Sequence, residues 1–449
     1  VINDEGDSVA SRPNIIFILA DDLGYADLGC TGARDVYNQP VDVSPNLDAM
    51  ARDGMRFTHA YANSALCSPT RFALITGRWQ YRLRGAAEEP LGPTAHLFGL
   101  PTEHPTLPSL LREAGYSTAL FGKWHLGGPP SFGPRRSGYE EFFGCLSGGL
   151  DYFAHTDVRG RPDLWENEQP SHAQGYFTDL ISGRAVDFID RQAGAQKPFF
   201  LSVHYTAPHW PWLTRDDVEE SGRTFNRGEH IDGGSLPIYH RMIHHMDEGI
   251  GQILEALDRH GMRANTLVIF TSDNGGERFS NNWPFMGQKM DLLEGGLRVP
   301  LIARWPRRIR AGALHASPNI TMDWSATMLS AAGVAPHPDY PLDGVDLSPT
   351  FADPAWRRSG DLCWRMKHRD QAALVRDGWK YLQIEGVDYL FNLEVDARER
   401  ANLRDRYPEK LRELKAAWQE WARGVPPIAP DARVFKLYSH EDMPQSTYG

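Results

Sequence analysis

Six short segments of this chain carry groups able to work together in one reaction. They are Asp21-Asp22, Cys67 with Arg71, Lys123 with His125, His209, Asp273-Asn274, and Lys289. Asp21, Asp22, Asp273 and Asn274 offer only oxygen, the donor set of a hard cation: Ca2+, or alternatively Mg2+ or Mn2+. Such an ion acts as a Lewis acid on an anionic substrate oxygen. Arg71, Lys123, Lys289, His125 and His209 add positive charge and exchangeable protons. Cations, a metal and a nucleophile together suit transfer of a tetrahedral oxyanion group, and phosphate and sulfate esters fit equally well.

The nucleophile is sought in "LCSPTRFALITGR", residues 66–78. Ser68 reads as a helix cap, Pro69 as the first helical residue and Gly77 as the stop. Cys67 would then sit at the positive end of a helix with Arg71 one turn away, a setting that lowers a thiol's pKa. A buried structural cysteine beside an ordinary cap fits the stretch as well. A cysteine-phosphatase loop does not, because position 73, where its arginine belongs, is Ala. No G-x-S-x-G elbow supports a serine nucleophile either.

The segments share a placement. "NIIFILADD", "YSTALFGKWH", "PFFLSVHYTAPHW" and "TLVIFTSDN" read as buried strands, and each runs directly into one of the reactive groups. "VPLIARW" reads as a fifth strand. Helices are expected in "SPNLDAMARDG", "TLPSLLREAG" and "IYHRMIHHMDEGIGQILEALDRHG". The alternation predicts an α/β fold with a large, mostly parallel sheet flanked by helices, whose ligands bind beyond the carboxyl ends of the strands. After about residue 350, "LCWRMKH", "AALVRDGWKYLQI" and "DYLFNLEVD" predict a short antiparallel sheet. "PEKLRELKAAWQEWARG" predicts an amphipathic helix with Leu411, Leu414, Trp418 and Trp421 on one face. The expected division is a catalytic domain, 1–350, and a smaller C-terminal α+β domain, 351–449.

Composition narrows the function. The 449 residues carry a net charge of −11, which argues against a nucleic-acid partner. No apolar run approaches the roughly 18 residues of a membrane span. Cys30, Cys67, Cys145 and Cys363 show no CxxC spacing, so neither a zinc site nor a dense disulfide framework is indicated. The opening "VINDEGDSVASRPN" has no apolar leader core. Location stays open: periplasmic or secreted after removal of a leader, cytoplasmic otherwise.

"CSPTR" running into "LITGR" resembles the signature of the sulfatases, the formylglycine-dependent, arylsulfatase-like branch of the alkaline phosphatase superfamily. "RPNIIFILADDLGYADLGC", "GYSTALFGKWHLG", "APHWP", "TSDNGG" and "KMDLLEGGLRVP" resemble that family's other blocks in order, and "YLFNLEVDARERANL" its C-terminal block. The resemblance implies that a maturation enzyme oxidises Cys67 to Cα-formylglycine, whose hydrate is the nucleophile, with Pro69 and Arg71 part of the modification signal. It implies Ca2+ on Asp21, Asp22, Asp273, Asn274 and modified residue 67. Lys123 and Lys289 would hold sulfate oxygens, Arg71 would steady the hydrate, His125 would take its proton, and His209 would protonate the leaving alcohol. The expected substrate is a small-molecule or carbohydrate sulfate monoester. The rivals are a phosphonate monoester or phosphodiester hydrolase using the same pocket, and a silent binding protein with unmodified Cys67.

Weaker signals remain. Asp151 and His155 are as compatible with a substrate mouth as with a plain loop. His244 and His245 read as surface or packing residues, Trp210, Trp212 and Trp283 as aromatic walls or core, and "NIT" at Asn319 as a glycosylation triplet. Specificity is expected from loops 79–105, 150–175 and 210–235.

Overall fold

The computed structural model describes residues 12–92, 95–195, 197–223 and 233–435. Parts of the expected N-terminal segment, of loops 79–105 and 210–235, and of the C-terminal domain (436–449) lie outside the described residues.

The strand Asn14–Ala20 is the centre of the molecule, buried from Ile15 onward. Ile15, Phe17 and Leu19 enter one core with Leu74, Leu111 and Met328, while Ile16 and Ile18 enter another with Met50, Phe188 and Ile250. A strand covered on both faces needs an apolar side chain at every position, so its sequence runs apolar without alternation. The helices Cys67–Thr76, Leu107–Glu113 and Thr321–Ala332 cover the first face. Pro45–Asp53, Phe177–Gln192 and Leu236–Arg259 cover the second.

The neighbouring strands decide where the reactive groups fall. Thr266–Ser272 pairs parallel on one side of the central strand, and Phe199–His204 on the other, with Ser117–Gly122 beyond it. Ala20 lies opposite Ser272, Leu19 opposite His204, and Gly122 opposite His204, so the four carboxyl ends are level. Gly122 has φ +114, and a Cβ there would stand 1.9 Å from the His204 carbonyl oxygen. Only glycine lets Lys123 N–H reach that carbonyl at 2.8 Å.

The sheet has ten strands and is mixed. Leu301–Arg304, expected among the parallel strands, runs antiparallel to Thr266–Ser272. The chain between them stays at the carboxyl edge, where Gly275 N–H bonds the Gly296 carbonyl at 2.9 Å. With no crossover helix to carry it back, the next strand starts where the last one ended. The outer strands, such as Met55–Phe57 and Trp165–Glu166, are too short to show a periodicity.

A second sheet is antiparallel throughout: Leu362–Met366, Gln371–Arg376, Trp379–Ile384 and Val387–Asn392. "AALVRDGWKYLQI" is two strands, folded at Asp377-Gly378 with φ of +48° and +75°, the left-handed pair of a two-residue hairpin turn. The helix Pro408–Arg423 lays Leu411, Leu414, Trp418 and Trp421 on this sheet, as its stripe predicts. Phe351 and Trp356 still pack on the core of the large sheet.

The two sheets meet through a buried ion network as well as apolar contact. Lys380 Nζ lies 2.9 Å from Glu294 Oε1 and 2.8 Å from Glu399 Oε1. Glu294 Oε2 accepts from Tyr61 Oη at 2.9 Å and Arg298 Nη1 at 3.0 Å. Removing the lysine would leave two carboxylates facing each other out of water. Lys380→Ala is therefore expected to lower the free energy of unfolding in urea by about 3–5 kcal/mol. A loss below about 1 kcal/mol would show that the network does not hold the sheets together.

Candidate active site

The level strand ends bring the reactive segments into one buried cluster. Asp21 and Asp22 follow the central strand, Lys123 and His125 follow Ser117–Gly122, His209 follows Phe199–His204, and Asp273-Asn274 follows Thr266–Ser272. Cys67 opens the helix Cys67–Thr76, and Lys289 enters from the chain leading back to Leu301–Arg304. Ligand atoms of Asp21, Cys67 and Asp273 lie within 4.8 Å of one another, as do those of Asp21, Asp22 and His209.

Every acid has a basic partner. Lys123 Nζ donates to Asp21 Oδ2 at 2.5 Å, and Lys289 Nζ donates to Asp22 Oδ2 at 2.6 Å. Arg71 grips Asp273 Oδ2 through Nε at 3.0 Å and Nη2 at 2.8 Å, with Asp21 Oδ1 3.8 Å away. All six groups are 4% exposed or less. Burial would raise the Asp22 carboxyl, but Lys289, His209 and Lys123 outweigh it and hold its pKa at about 2. Asp21 is pushed the other way by burial and by Asp273, with Lys123 and Arg71 opposing.

Two oxygens at the centre have no hydrogen-bond partner: Asp21 Oδ1 and Asn274 Oδ1. The Asn274 amide donates to Asp22 Oδ1 at 2.7 Å and to the Gly275 carbonyl at 2.8 Å, which orients its own oxygen as an acceptor. Buried acceptors left without donors are costly. Together with crowded carboxylates they form a donor set that fits a hard cation. Asp22 itself sits at φ +61, a left-handed backbone held by Asp22 N–H on Asp273 Oδ1 at 3.3 Å.

The helix carrying Cys67 differs from its sequence reading. It begins at Cys67 itself, with Leu66 as the flanking residue, so Ser68 is not the cap. Ser68 Oγ instead accepts Leu91 N–H at 2.7 Å. Thr70 Oγ1 ties back to Ser64, accepting its N–H at 3.0 Å and donating to its carbonyl at 3.1 Å. Nor is the thiol acidified as its helix terminus suggested. Burial raises its pKa, with Lys123 and Lys289 opposing incompletely. As an unmodified cysteine it is a protonated, poorly nucleophilic thiol.

The two histidines have fixed tautomers. His125, at φ +58, gives its Nε2–H to the Leu91 carbonyl at 2.7 Å and leaves Nδ1 without a partner. His209 gives its Nδ1–H to the Trp210 carbonyl at 2.6 Å and leaves Nε2 3.5 Å from Asp22 Oδ2. Burial lowers the pKa of both rings, reinforced by Lys123 at His125 and by Lys289 at His209. A glycine pair separates them. A Cβ on Gly148 would come within 2.7 Å of His125 Cε1, and one on Gly149 within 3.1 Å of His209 Cε1. Leu91 and Gly148 were not singled out from the sequence, because a backbone carbonyl and a bare Cα leave no residue-type signal.

Other sequence signals fall elsewhere. Asp151 is buried and spends its carboxylate on Phe153 N–H, Ala154 N–H, Ser221 Oγ and Gly222 N–H, while His155 bonds the Gly175 carbonyl. Both organise loops. His244 is half-exposed beside Glu248, and His245 packs on Tyr176. Trp210 and Trp212 are buried, whereas Trp283 is 58% exposed under the Arg398 guanidinium. Asn319 is buried in a strand, its amide directed to the His59 and Ser317 carbonyls. No helix among the described residues is long and apolar enough to cross a membrane.

Known proteins resemble this chain in sequence and fold. The family model Sulfatase matches residues 13–334. The N-acetylgalactosamine-6-sulfatase of Canis lupus familiaris is 37% identical over 365 residues, covering 76% of this chain and 66% of that protein. This chain thus aligns with just under two thirds of that relative's length. The crystal structure of Ps i-CgsB in complex with k-i-k-neocarrahexaose superposes with a TM-score of 0.82 at 30% identity, covering 93% of this chain and 94% of that one. The phosphonate monoester hydrolase of Agrobacterium radiobacter shares the fold, with a TM-score of 0.61 at 22% identity over 90% of this chain and 96% of that one. With the family model spanning most of its length, the chain belongs to the sulfatase family.

Proposed function

We propose that this protein hydrolyses a sulfate monoester, using a nucleophile made from Cys67 by oxidation to Cα-formylglycine. The observation that carries the reading is the convergence of Cys67, three carboxylates and three cations in one buried cluster. Relatives named as N-acetylgalactosamine-6-sulfatases, and a structural neighbour complexed with k-i-k-neocarrahexaose, favour a carbohydrate sulfate over an aryl one.

Asp21, Asp22, Asp273 and Asn274, with modified residue 67, would hold a divalent cation, Ca2+ before Mg2+ or Mn2+. Bound there, the cation supplies positive charge to the sulfate oxygens. Once hydrated, the aldehyde at residue 67 would supply two geminal hydroxyls, one for attack on sulfur and one whose deprotonation would expel sulfate and restore the aldehyde. Lys123 and Lys289 hold the sulfate oxygens and stabilise the charge that builds on them. Arg71, locked on Asp273, steadies the residue-67 hydroxyls from the first helical turn. His209 acts as the acid in its imidazolium form: Nε2, 3.5 Å from Asp22 Oδ2, first takes up a proton and then passes it to the departing alcohol oxygen as its bond to sulfur breaks. His125 Nδ1, the free lone pair opposite the Leu91 bond, receives the proton released when sulfate is expelled. Cys67 and Arg71 are both buried, so a maturation enzyme that reads them must meet the chain before this fold forms.

Two measurements test the reading. Turnover of para-nitrophenyl sulfate is expected to exceed that of para-nitrophenyl phenylphosphonate in kcat/KM. The reverse order would assign the pocket to phosphonate esters, and binding without turnover of these two and of a carbohydrate sulfate would favour a silent binding protein. His209→Ala is expected to lower kcat on a carbohydrate sulfate by about a hundredfold to ten-thousandfold, but on para-nitrophenyl sulfate by less than about tenfold. Nitrophenolate leaves without a proton, so equal losses on both substrates would remove His209 from the acid role.

A further inference from the structure

Lys289 stands on a tight turn. Asp291 N–H bonds the Gln288 carbonyl at 2.9 Å, and Gln288 N–H bonds Asp291 Oδ2 at 3.2 Å. The next residue, Met290, keeps φ at +75 although it is not glycine, a backbone that persists only where the surroundings dictate it. From the nucleophile side, the Ala65 carbonyl accepts Met290 N–H at 2.9 Å. From the other side the turn is held by Gln371, buried at the start of its strand in the C-terminal sheet. Gln371 Nε2 donates to the Met290 carbonyl at 2.8 Å, and Oε1 accepts Leu292 N–H at 2.8 Å. One primary amide can donate and accept at once, and here it takes the place of a partner strand for the turn. A further bond from Nε2 to the His368 carbonyl at 3.1 Å fixes the amide's orientation.

We propose that Gln371 is the positioning residue of Lys289. It clamps Met290 and Leu292 so that the ammonium group of Lys289 is aimed into the acid cluster, and this rests on the reading of Lys289 as a sulfate-holding group. The hairpin turn that leads into Gln371, between Leu362–Met366 and Gln371–Arg376, reaches the opposite wall. Lys367 N–H and His368 N–H donate to the Glu89 carboxylate at 2.6 Å and 2.7 Å, two residues before the Leu91 carbonyl that fixes His125. The C-terminal sheet thus holds Lys289 on one side of the nucleophile and the His125 tautomer on the other.

The test is a double-mutant cycle on the matured, full-length protein. Gln371→Met keeps the volume and removes both clamping bonds. It is expected to lower kcat/KM on para-nitrophenyl sulfate by about tenfold to a hundredfold in the wild-type background. In a Lys289→Ala background the same substitution should change it less than about threefold, because its target is already gone. General damage to the fold would cost the same factor in both backgrounds and would overturn the proposal, as would wild-type kcat/KM for Gln371→Met. Should Gln371→Met fail to yield folded protein, Gln371→Asn, whose amide is one methylene short of the turn, is judged by the same criteria. Inorganic sulfate binding by calorimetry gives a readout independent of turnover. Sulfate held by the wild type should be held about tenfold more weakly by Gln371→Met, with no further weakening beyond Lys289→Ala alone. A wild type that binds sulfate without hydrolysing the ester would overturn only the proposed function, whereas unchanged sulfate affinity in Gln371→Met would overturn the clamp.

Discussion

Three carboxylates and three cations share one place where water does not reach: Asp21, Asp22 and Asp273 against Lys123, Lys289 and Arg71. Burying a charge without a partner costs several kcal/mol, so the cluster persists only if every acid keeps its base within hydrogen-bond reach. That requirement explains much of the architecture around it. The four central strands must end level, because their carboxyl ends deliver four of the six segments. Asp22 and His125 accept left-handed backbones because the direction of their side chains matters more than local comfort. The helix opening at Cys67 adds the positive end of its dipole to the same point.

The balance also bears on the proposal that Cys67 is a precursor. A thiol in this setting is held protonated by burial, so the cluster does little for sulfur chemistry. The same surroundings suit an oxygen nucleophile and a tetrahedral anion: lysines poised on carboxylates, two neutral histidines with one free nitrogen each, and acceptor oxygens without donors at Asp21 and Asn274. Adding a divalent cation to a cluster already near neutrality leaves positive charge over, which an anionic ester then balances.

Much of this was legible in the sequence because strand ends announce themselves. An unbroken apolar run followed at once by Asp-Asp, Lys-x-His or Asp-Asn places those groups at the carboxyl edge of a sheet, and each such run proved to be a strand of the large sheet. The direction of Leu301–Arg304 was not legible, since the connection that sets it folds locally without a helix. Nor were the roles of the Leu91 carbonyl and the Gly148-Gly149 pair, which act through backbone rather than side-chain chemistry. Gln371 left a faint trace, as a lone amide opening the apolar run "QAALV". Its meaning depends on a turn 79 residues away meeting it in space, which no local pattern encodes. The helix terminus at Cys67 misled in one respect: its dipole is real, but desolvation is the larger influence on the thiol.

The account stands on the chemical identity of residue 67. The direct measurement is the mass of the peptide carrying residues 66–78, from protein produced with its maturation machinery, before any activity assay is read. The account predicts a peptide in which the Cys67 thiol is replaced by an aldehyde or its hydrate. A peptide carrying an intact cysteine in protein that still hydrolyses sulfate esters would contradict it.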